Sequence, residues 1–196
     1  MPPGPPFCDL SCQMRWFYAT TLLLCAQRAV SLRAVPSPSA QSAFASACAD
    51  LLECETAEAA LAKVCSLPFP SASMTQNDAV AHTAHDKGLS EITMQRPEKL
   101  NALDVDANIE LLAAVAATLS SAASAALIRS EPAASRAFCA GGAVRTALSS
   151  IQEDAGTADE VLCSEYAALL AVYALATKIP VIGLGSGIVM GAGAGL

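Results

Sequence analysis

Two glycine-rich turns constrain this chain more than any other feature. The first is Ala137-Phe138-Cys139-Ala140-Gly141-Gly142-Ala143-Val144-Arg145, and the second is Gly187-Ile188-Val189-Met190-Gly191-Ala192-Gly193-Ala194-Gly195-Leu196. Each follows a run that reads as a buried strand, Ala125–Arg129 and Pro180–Leu184 respectively, and each leads into residues that can start a helix. A turn of small residues between strand and helix leaves backbone N–H groups uncommitted, and with no side chain in the way a ligand can approach the main chain closely. Two such turns side by side would converge a pair of donors on one point, the arrangement that holds a developing oxyanion.

The remaining periodicity fits an α/β chain. Glu91–Gln95 alternates and is rich in β-formers, and Arg96-Pro97 ends it. Asp104 reads as the N-cap of an amphipathic helix carrying Ile109, Leu112, Val115, Ala116 and Leu119 at helical spacing. Val144–Ile151 reads as one or two helical turns. Thr157 and Glu160 have the spacing of a capping box, which predicts a helix through Leu162, Tyr166, Leu169, Leu170 and Tyr173 that stops near Lys178, ahead of Pro180. Strand, helix, strand, helix, strand in this order implies parallel crossovers.

Residues 1–49 read differently from the rest. They hold Arg15, Arg28 and Arg33 against Asp9 alone, a net charge of +2, whereas the remaining residues carry eight basic and seventeen acidic side chains, a net of −9. Trp16–Ala26 is an uncharged run between Arg15 and Arg28, too short to span a bilayer, which takes about 20 apolar residues. Because the Arg- and Ser-rich, acid-poor character continues past that run, the segment predicts import into an organelle, with mitochondria as the expectation and a secretory signal as the alternative. Residues 50–87 read as a short helix, Asp50 to Lys63, and a linker, and residues 88–196 as the globular part. An acidic body without a Lys/Arg cluster gives nucleic acid no electrostatic footing. The eight cysteines include no Cys-x-x-Cys, and the two histidines, His82 and His85, lack companions for a metal site. No metal is expected.

With these motifs in place, the chain resembles the enoyl-CoA hydratase/isomerase (crotonase) superfamily. The resemblance rests on Ile92-Thr93-Met94-Gln95-Arg96-Pro97-Glu98-Lys99-Leu100-Asn101-Ala102-Leu103, on Phe138-Cys139-Ala140-Gly141-Gly142, and on the second glycine turn, three signatures in register over roughly residues 88–196. Within the superfamily the chain looks most like the 3-hydroxyisobutyryl-CoA hydrolases of valine breakdown. The resemblance implies a crotonase-like fold of repeated ββα units, here only its N-terminal half, truncated after the second glycine turn. It also implies an acyl-CoA substrate whose thioester oxygen sits on the backbone N–H groups of Gly142 and Ala192. By the same matching, Glu98, Lys99, Leu100 and Ala140 would line the CoA path, Arg145 would reach a CoA phosphate, and Glu165 would contact substrate. No separate cofactor is implied, CoA being part of the substrate.

The departures from the pattern are informative. Gly195 stands where similar hydratases carry a catalytic glutamate, so no proton can be moved from that position. This favours hydrolysis of a short 3-hydroxyacyl-CoA over hydration or isomerisation of an enoyl-CoA. Ala143 stands where the pattern has a capping aspartate, a loss worth about 1 kcal/mol, and Ala192 replaces a glycine, narrowing the approach to its N–H. The family's catalytic carboxylates fall beyond Leu196, so a catalytically inactive fragment that binds CoA or a partner is the alternative from another class. Other chemistries fail more simply. Neither histidine is placed to activate Cys139, Gly185-Ser186-Gly187 is not a nucleophile elbow, and the second turn lacks the dinucleotide Gly-x-Gly-x-x-Gly spacing.

Overall fold

The computed structural model describes residues 40–69, 79–131, 136–145, 148–149 and 155–196. All of them belong to one compact unit, Pro38–Leu196. Four helices, α1 (Ala40–Leu52), α2 (Ala57–Cys65), α3 (Val105–Ser120) and α4 (Ala155–Ala176), accompany six strands, β1 (Val80–His85), β2 (Leu89–Met94), β3 (Ala125–Ser130), β4 (Ala137–Cys139), β5 (Val181–Leu184) and β6 (Ile188–Val189). The main sheet runs β1-β2-β3-β5, and β4 and β6 form a separate pair. β1 is antiparallel to β2, whereas β2–β3 and β3–β5 are parallel, so the expected α/β class with crossover helices holds.

Alternation along the strands sets the layers. Ser90, Ile92 and Met94 of β2 and Ala126, Ile128 and Ser130 of β3 are buried, while Glu91, Leu127 and Arg129 point to the other face and are half-buried. Helix α3 packs on β1 and β2, α4 packs on α3, and the α1–α2 pair packs on α4. Asp104 caps α3 as its position predicts, accepting from the Ala107 N–H at 3.0 Å. Packing on two sides buries Ala107, Asn108, Leu111, Ala114 and Thr118 beside the expected Ile109, Leu112 and Val115, whereas Ala116 and Leu119 of the expected face are only half-buried.

Several local expectations are corrected. Residues 1–39, most of the segment read as a targeting sequence, lie outside the described residues, but Ala40–Leu52 is a helix with Phe44 and Cys48 buried. The helix expected over Asp50 to Lys63 is two helices. A break at residues 53–56 separates them, because Thr56 is extended and caps α2 by accepting from the Ala59 N–H at 3.1 Å. The stretch assigned to a linker contains β1, which Glu110 of α3 secures by accepting from the Ala79 and Val80 N–H groups at 2.7 and 2.8 Å. Helix α4 starts at Ala155, so Thr157 lies inside it and not at its cap. On this helix Leu162 and Tyr173 are exposed. Finally, the glycine turns leave β4 and β6, not the main-sheet strands β3 and β5.

On the open face of the main sheet Glu91 takes hydrogen bonds from Arg129 (2.7 Å) and Thr93 (3.1 Å) and meets His85 Nε2 at 3.0 Å. Beside this network Ile182 and Leu184 of the edge strand are 57% and 58% exposed. A long apolar edge is an association hazard. Ile182→Lys with Leu184→Lys is therefore expected to leave the urea midpoint nearly unchanged, within about 0.5 kcal/mol per site, while reducing self-association in light scattering. A large loss of stability would mean that these side chains are packed in solution.

Candidate functional site

The site is assembled by the smaller sheet. β4 and β6 are parallel, with Ala137 opposite Ile188 and Cys139 opposite Val189, so both strands deliver their turns to the same end. The Met190 N–H donates to the Cys139 carbonyl at 3.1 Å, and the Gly193 N–H closes the second turn on the Met190 carbonyl at 3.0 Å. Close approach is possible only because Gly141 has no side chain. A Cβ there would lie 2.7 Å from the Met190 carbonyl oxygen and 3.2 Å from the Ala192 nitrogen, and Gly141 has φ +88°. The turns touch along their backbones.

The first turn is held from its other side by the loop after β2. The Leu103 N–H donates to the Gly141 carbonyl and the Ala143 N–H to the Leu103 carbonyl, both at 2.8 Å, and the Ala140 N–H donates to the Leu100 carbonyl at 3.0 Å. The Asn101 amide donates to the carbonyls of Ala137 and Phe138 at 3.0 and 3.1 Å while its oxygen accepts from the Arg96 N–H at 2.8 Å. Leu100 and Asn101 both adopt left-handed backbone, φ 53° and 52°, to make this fit. Arg96 ties the loop's two ends, donating to both oxygens of Asp104 (2.7 and 2.6 Å) and to the Ala102 carbonyl (3.0 Å). Sequence reasoning placed Asp104 as a cap but missed that Arg96 and Asn101 brace the turn; the Arg-Pro-x-x-x-Asn spacing was the available signal. The bracing also answers the missing aspartate at Ala143, since backbone bonds to Leu103 fix the turn without a cap.

This pattern commits the carbonyl of Gly141 and the N–H of Ala143 to the loop and leaves the N–H of Gly142 undonated among the described residues, as is the N–H of Ala192 in the second turn. Facing the first turn is Glu165 of α4. A Cβ added to Gly142 would collide with Glu165 Oε2, and would stand 3.0 Å from its Cδ. Burial pushes the Glu165 carboxyl above the usual carboxylate range. Cys139, beneath the turn, is also pushed up by burial, so it is a packing thiol and not an activated nucleophile.

The other expected site residues are distributed unevenly. Leu100 and Ala140 adjoin through their hydrogen bond. Lys99 is exposed and leans on Asp104 at 3.8 Å, and Glu98 is exposed in the 3-10 turn Pro97–Lys99. Arg145 is exposed in the helical turn after Ala143 and forms no ion pair among the described residues. The structure thus brings Gly142, Ala192, Glu165, Leu100 and Ala140 toward one another and leaves Glu98, Lys99 and Arg145 at the surface. No cluster of metal-ligating side chains occurs among the described residues, and none of their helices is long and apolar enough to cross a membrane.

A search of curated proteins returned no match. Among solved structures, an enoyl-CoA hydratase/isomerase from Mycobacterium abscessus is similar at 30% identity and a TM-score of 0.52, over 59% of this chain and 43% of that one. An enoyl-CoA hydratase from Rhodobacter sphaeroides is similar at 28% identity and a TM-score of 0.52, over 61% of this chain and 34% of that one. The chain therefore spans less than half the length of these relatives. The sequence profile described as Enoyl-CoA hydratase/isomerase matches residues 89–196, which contain both glycine turns, the bracing loop and Glu165. On this match over more than half of its residues, the chain belongs to the enoyl-CoA hydratase/isomerase family.

Proposed function

We propose that the protein acts on an acyl-CoA thioester in the manner of an enoyl-CoA hydratase/isomerase, seating the thioester oxygen on the N–H groups of Gly142 and Ala192. The observation that carries this reading is the pair of N–H groups left undonated among the described residues, on two turns in backbone contact. When a proton leaves the carbon next to the thioester, or a nucleophile adds to the conjugated double bond, negative charge moves onto the carbonyl oxygen. Donors already in position stabilise that charge without reorganising, and one such donor is typically worth about 10²–10³ in rate. The names of the solved neighbours support this class. Leu100 and Ala140 would flank the acyl-CoA through their backbone, and the surface residues Glu98, Lys99 and Arg145 would meet the nucleotide end of CoA.

A second reading is hydrolysis of a short 3-hydroxyacyl-CoA, such as 3-hydroxyisobutyryl-CoA in valine breakdown. Gly195 favours it, because the second turn offers no carboxyl to protonate carbon. Two measurements separate the readings. Calorimetric titration with hexanoyl-CoA is expected to show saturable binding, and its absence would overturn both. Free thiol release from 3-hydroxyisobutyryl-CoA would establish hydrolysis, whereas double-bond hydration or migration in an enoyl-CoA without thiol release is the expected result. Binding without any turnover would return the protein to the inactive, CoA-binding alternative. Import into mitochondria is proposed on the composition of residues 1–49, and recovery of a mature N-terminus from purified mitochondria would test it.

A further inference from the structure

The ladder between β4 and β6 is irregular at one step, and that step decides which backbone donors meet. The Ile188 N–H donates to the Arg136 carbonyl and the Met190 N–H to the Cys139 carbonyl, both at 3.1 Å. Donors two residues apart on β6 therefore meet acceptors three residues apart on β4, so β4 carries one extra residue there, a bulge. Between those acceptors stand the carbonyls of Ala137 and Phe138. Both accept from the Asn101 side-chain amide, at 3.0 and 3.1 Å. Asn101 is only 2% exposed, and its oxygen accepts from the Arg96 N–H at 2.8 Å, so the amide that grips the bulge is itself held.

The bulge sets the register of everything beyond it. Cys139 lies opposite Val189, and Gly142 and Ala192 each stand three residues further along. Without the extra residue the ladder would run from Ala137 opposite Ile188 to Phe138 opposite Val189. The first turn would then slip by one place against the second. Gly142 would come level with Gly193, whose N–H is already given to the Met190 carbonyl at 3.0 Å. Ala192 would come level with Gly141, whose N–H is directed at Cys139 Sγ at 3.4 Å. The bulged register is the one that sets the two N–H groups left undonated among the described residues beside each other.

We propose that Asn101 is the positioning residue of the thioester site: by holding the bulge at Ala137 and Phe138 it sets the register in which the Gly142 and Ala192 donors meet. The proposal rests on the thioester reading above. Asn101 acts through β4 and not on the substrate. Its residue type suits the place twice over, since the amide supplies two donors and one acceptor, and asparagine tolerates the left-handed backbone found there, φ 52°, better than most residues with a Cβ.

The test uses the intact protein and hexanoyl-CoA labelled with ¹³C at the thioester carbonyl, followed by difference infrared spectroscopy and calorimetric titration. A hydrogen bond to the carbonyl oxygen weakens the C=O bond, so the stretch of the wild-type complex should lie below that of free hexanoyl-CoA. Asn101→Gly removes the amide while leaving the left-handed backbone unstrained. It is expected to retain hexanoyl-CoA binding but to lose most of that downshift, and any turnover of an acyl-CoA should fall by about 10²–10³-fold in kcat with KM kept. Asn101→Asp keeps the shape and the acceptor but has no N–H to donate, and the same loss is expected, which serves if the glycine variant does not fold. Thr56→Ala, which removes the cap of α2, should keep the full downshift; losing it too would reduce the effect of Asn101 to general loosening and overturn the proposal. Failure of the wild type to bind hexanoyl-CoA would overturn the thioester reading and this proposal with it. Binding with a wild-type downshift in a folded Asn101 variant would overturn the role of Asn101 while leaving the CoA site standing.

Discussion

Asp104→Ala is expected to destabilise the protein by about 3–5 kcal/mol, the cost of leaving a buried partner charge unpaired. Arg96 and Asp104 have side chains only 6% and 17% exposed and are joined at 2.6 Å. Removing the carboxylate strands a guanidinium whose Nε already lacks a partner among the described residues, and it uncaps α3 at Ala107. The cap alone is worth about 1 kcal/mol, so most of the loss comes from the buried charge. Asp50→Ala is the control: its pair with Lys63 is 56% and 37% exposed and should change stability by about 0–1 kcal/mol. Urea midpoints measure both, and similar values for the two variants would refute the argument.

The same pair sets an acid limit. Burial pushes the Asp104 carboxyl up, but hydrogen bonds from Arg96 and the Ala107 N–H, with the positive charge of Arg96, outweigh it and hold the group below the usual aspartate range. A depressed folded-state pKa contributes stability that is fully present above the unfolded value, about 3.9, and is lost as pH falls through the folded value. The difference in stability between wild type and Asp104→Ala should therefore be constant near neutral pH and shrink below about pH 4. A difference that grew on acidification would have the wrong sign.

Gly141→Ala is expected to be the most damaging single change in the turns. The residue has φ +88°, and its new Cβ would meet the Met190 oxygen at 2.7 Å, the Ala192 nitrogen at 3.2 Å and the Gly191 Cα at 3.2 Å. All three are backbone atoms, so no side chain can swing aside. Left-handed backbone costs a Cβ-bearing residue about 1–2 kcal/mol, and overpacking adds about 1–3 kcal/mol. Relief requires the turns to part, which separates the Gly142 and Ala192 donors, and turnover of an acyl-CoA should fall by about 10²–10³ as one of them is lost. Gly142→Ala is the informative comparison, because its Cβ meets only the tip of the Glu165 side chain. It should unfold much closer to wild type while displacing the carboxyl. Equal destabilisation by the two substitutions would show that the turns are not in backbone contact.

What could be read from the sequence was what local chemistry determines. Asp104 three residues before Ala107 is a side-chain-to-backbone cap, and the glycines mark where backbone must pass close to backbone. β1 was missed because Val80-Ala81-His82-Thr83-Ala84-His85 has only one strongly apolar member, and Glu110, thirty residues later, secures its start. Glu165 entered as a substrate contact by resemblance alone; the structure sets it against the first glycine turn, a relation fixed by how α4 packs on α3. The bracing by Asn101 was equally non-local, its bonds reaching Ala137 and Phe138.

The strand order of the main sheet has a consequence for biosynthesis. β1, β2, β3 and β5 lie side by side in the order in which a ribosome makes them. Each new strand adds to the edge left by its predecessor, and none of the described strands has to be threaded between strands already paired. The sheet can thus grow outward as the chain emerges, with α3 and α4 available to cover each stage before the next strand is complete. The glycine turns come together last, because β6 and the turn it delivers are made after every strand of the main sheet. A nascent chain released before Ile188 would carry the four strands β1, β2, β3 and β5 and lack the second glycine turn.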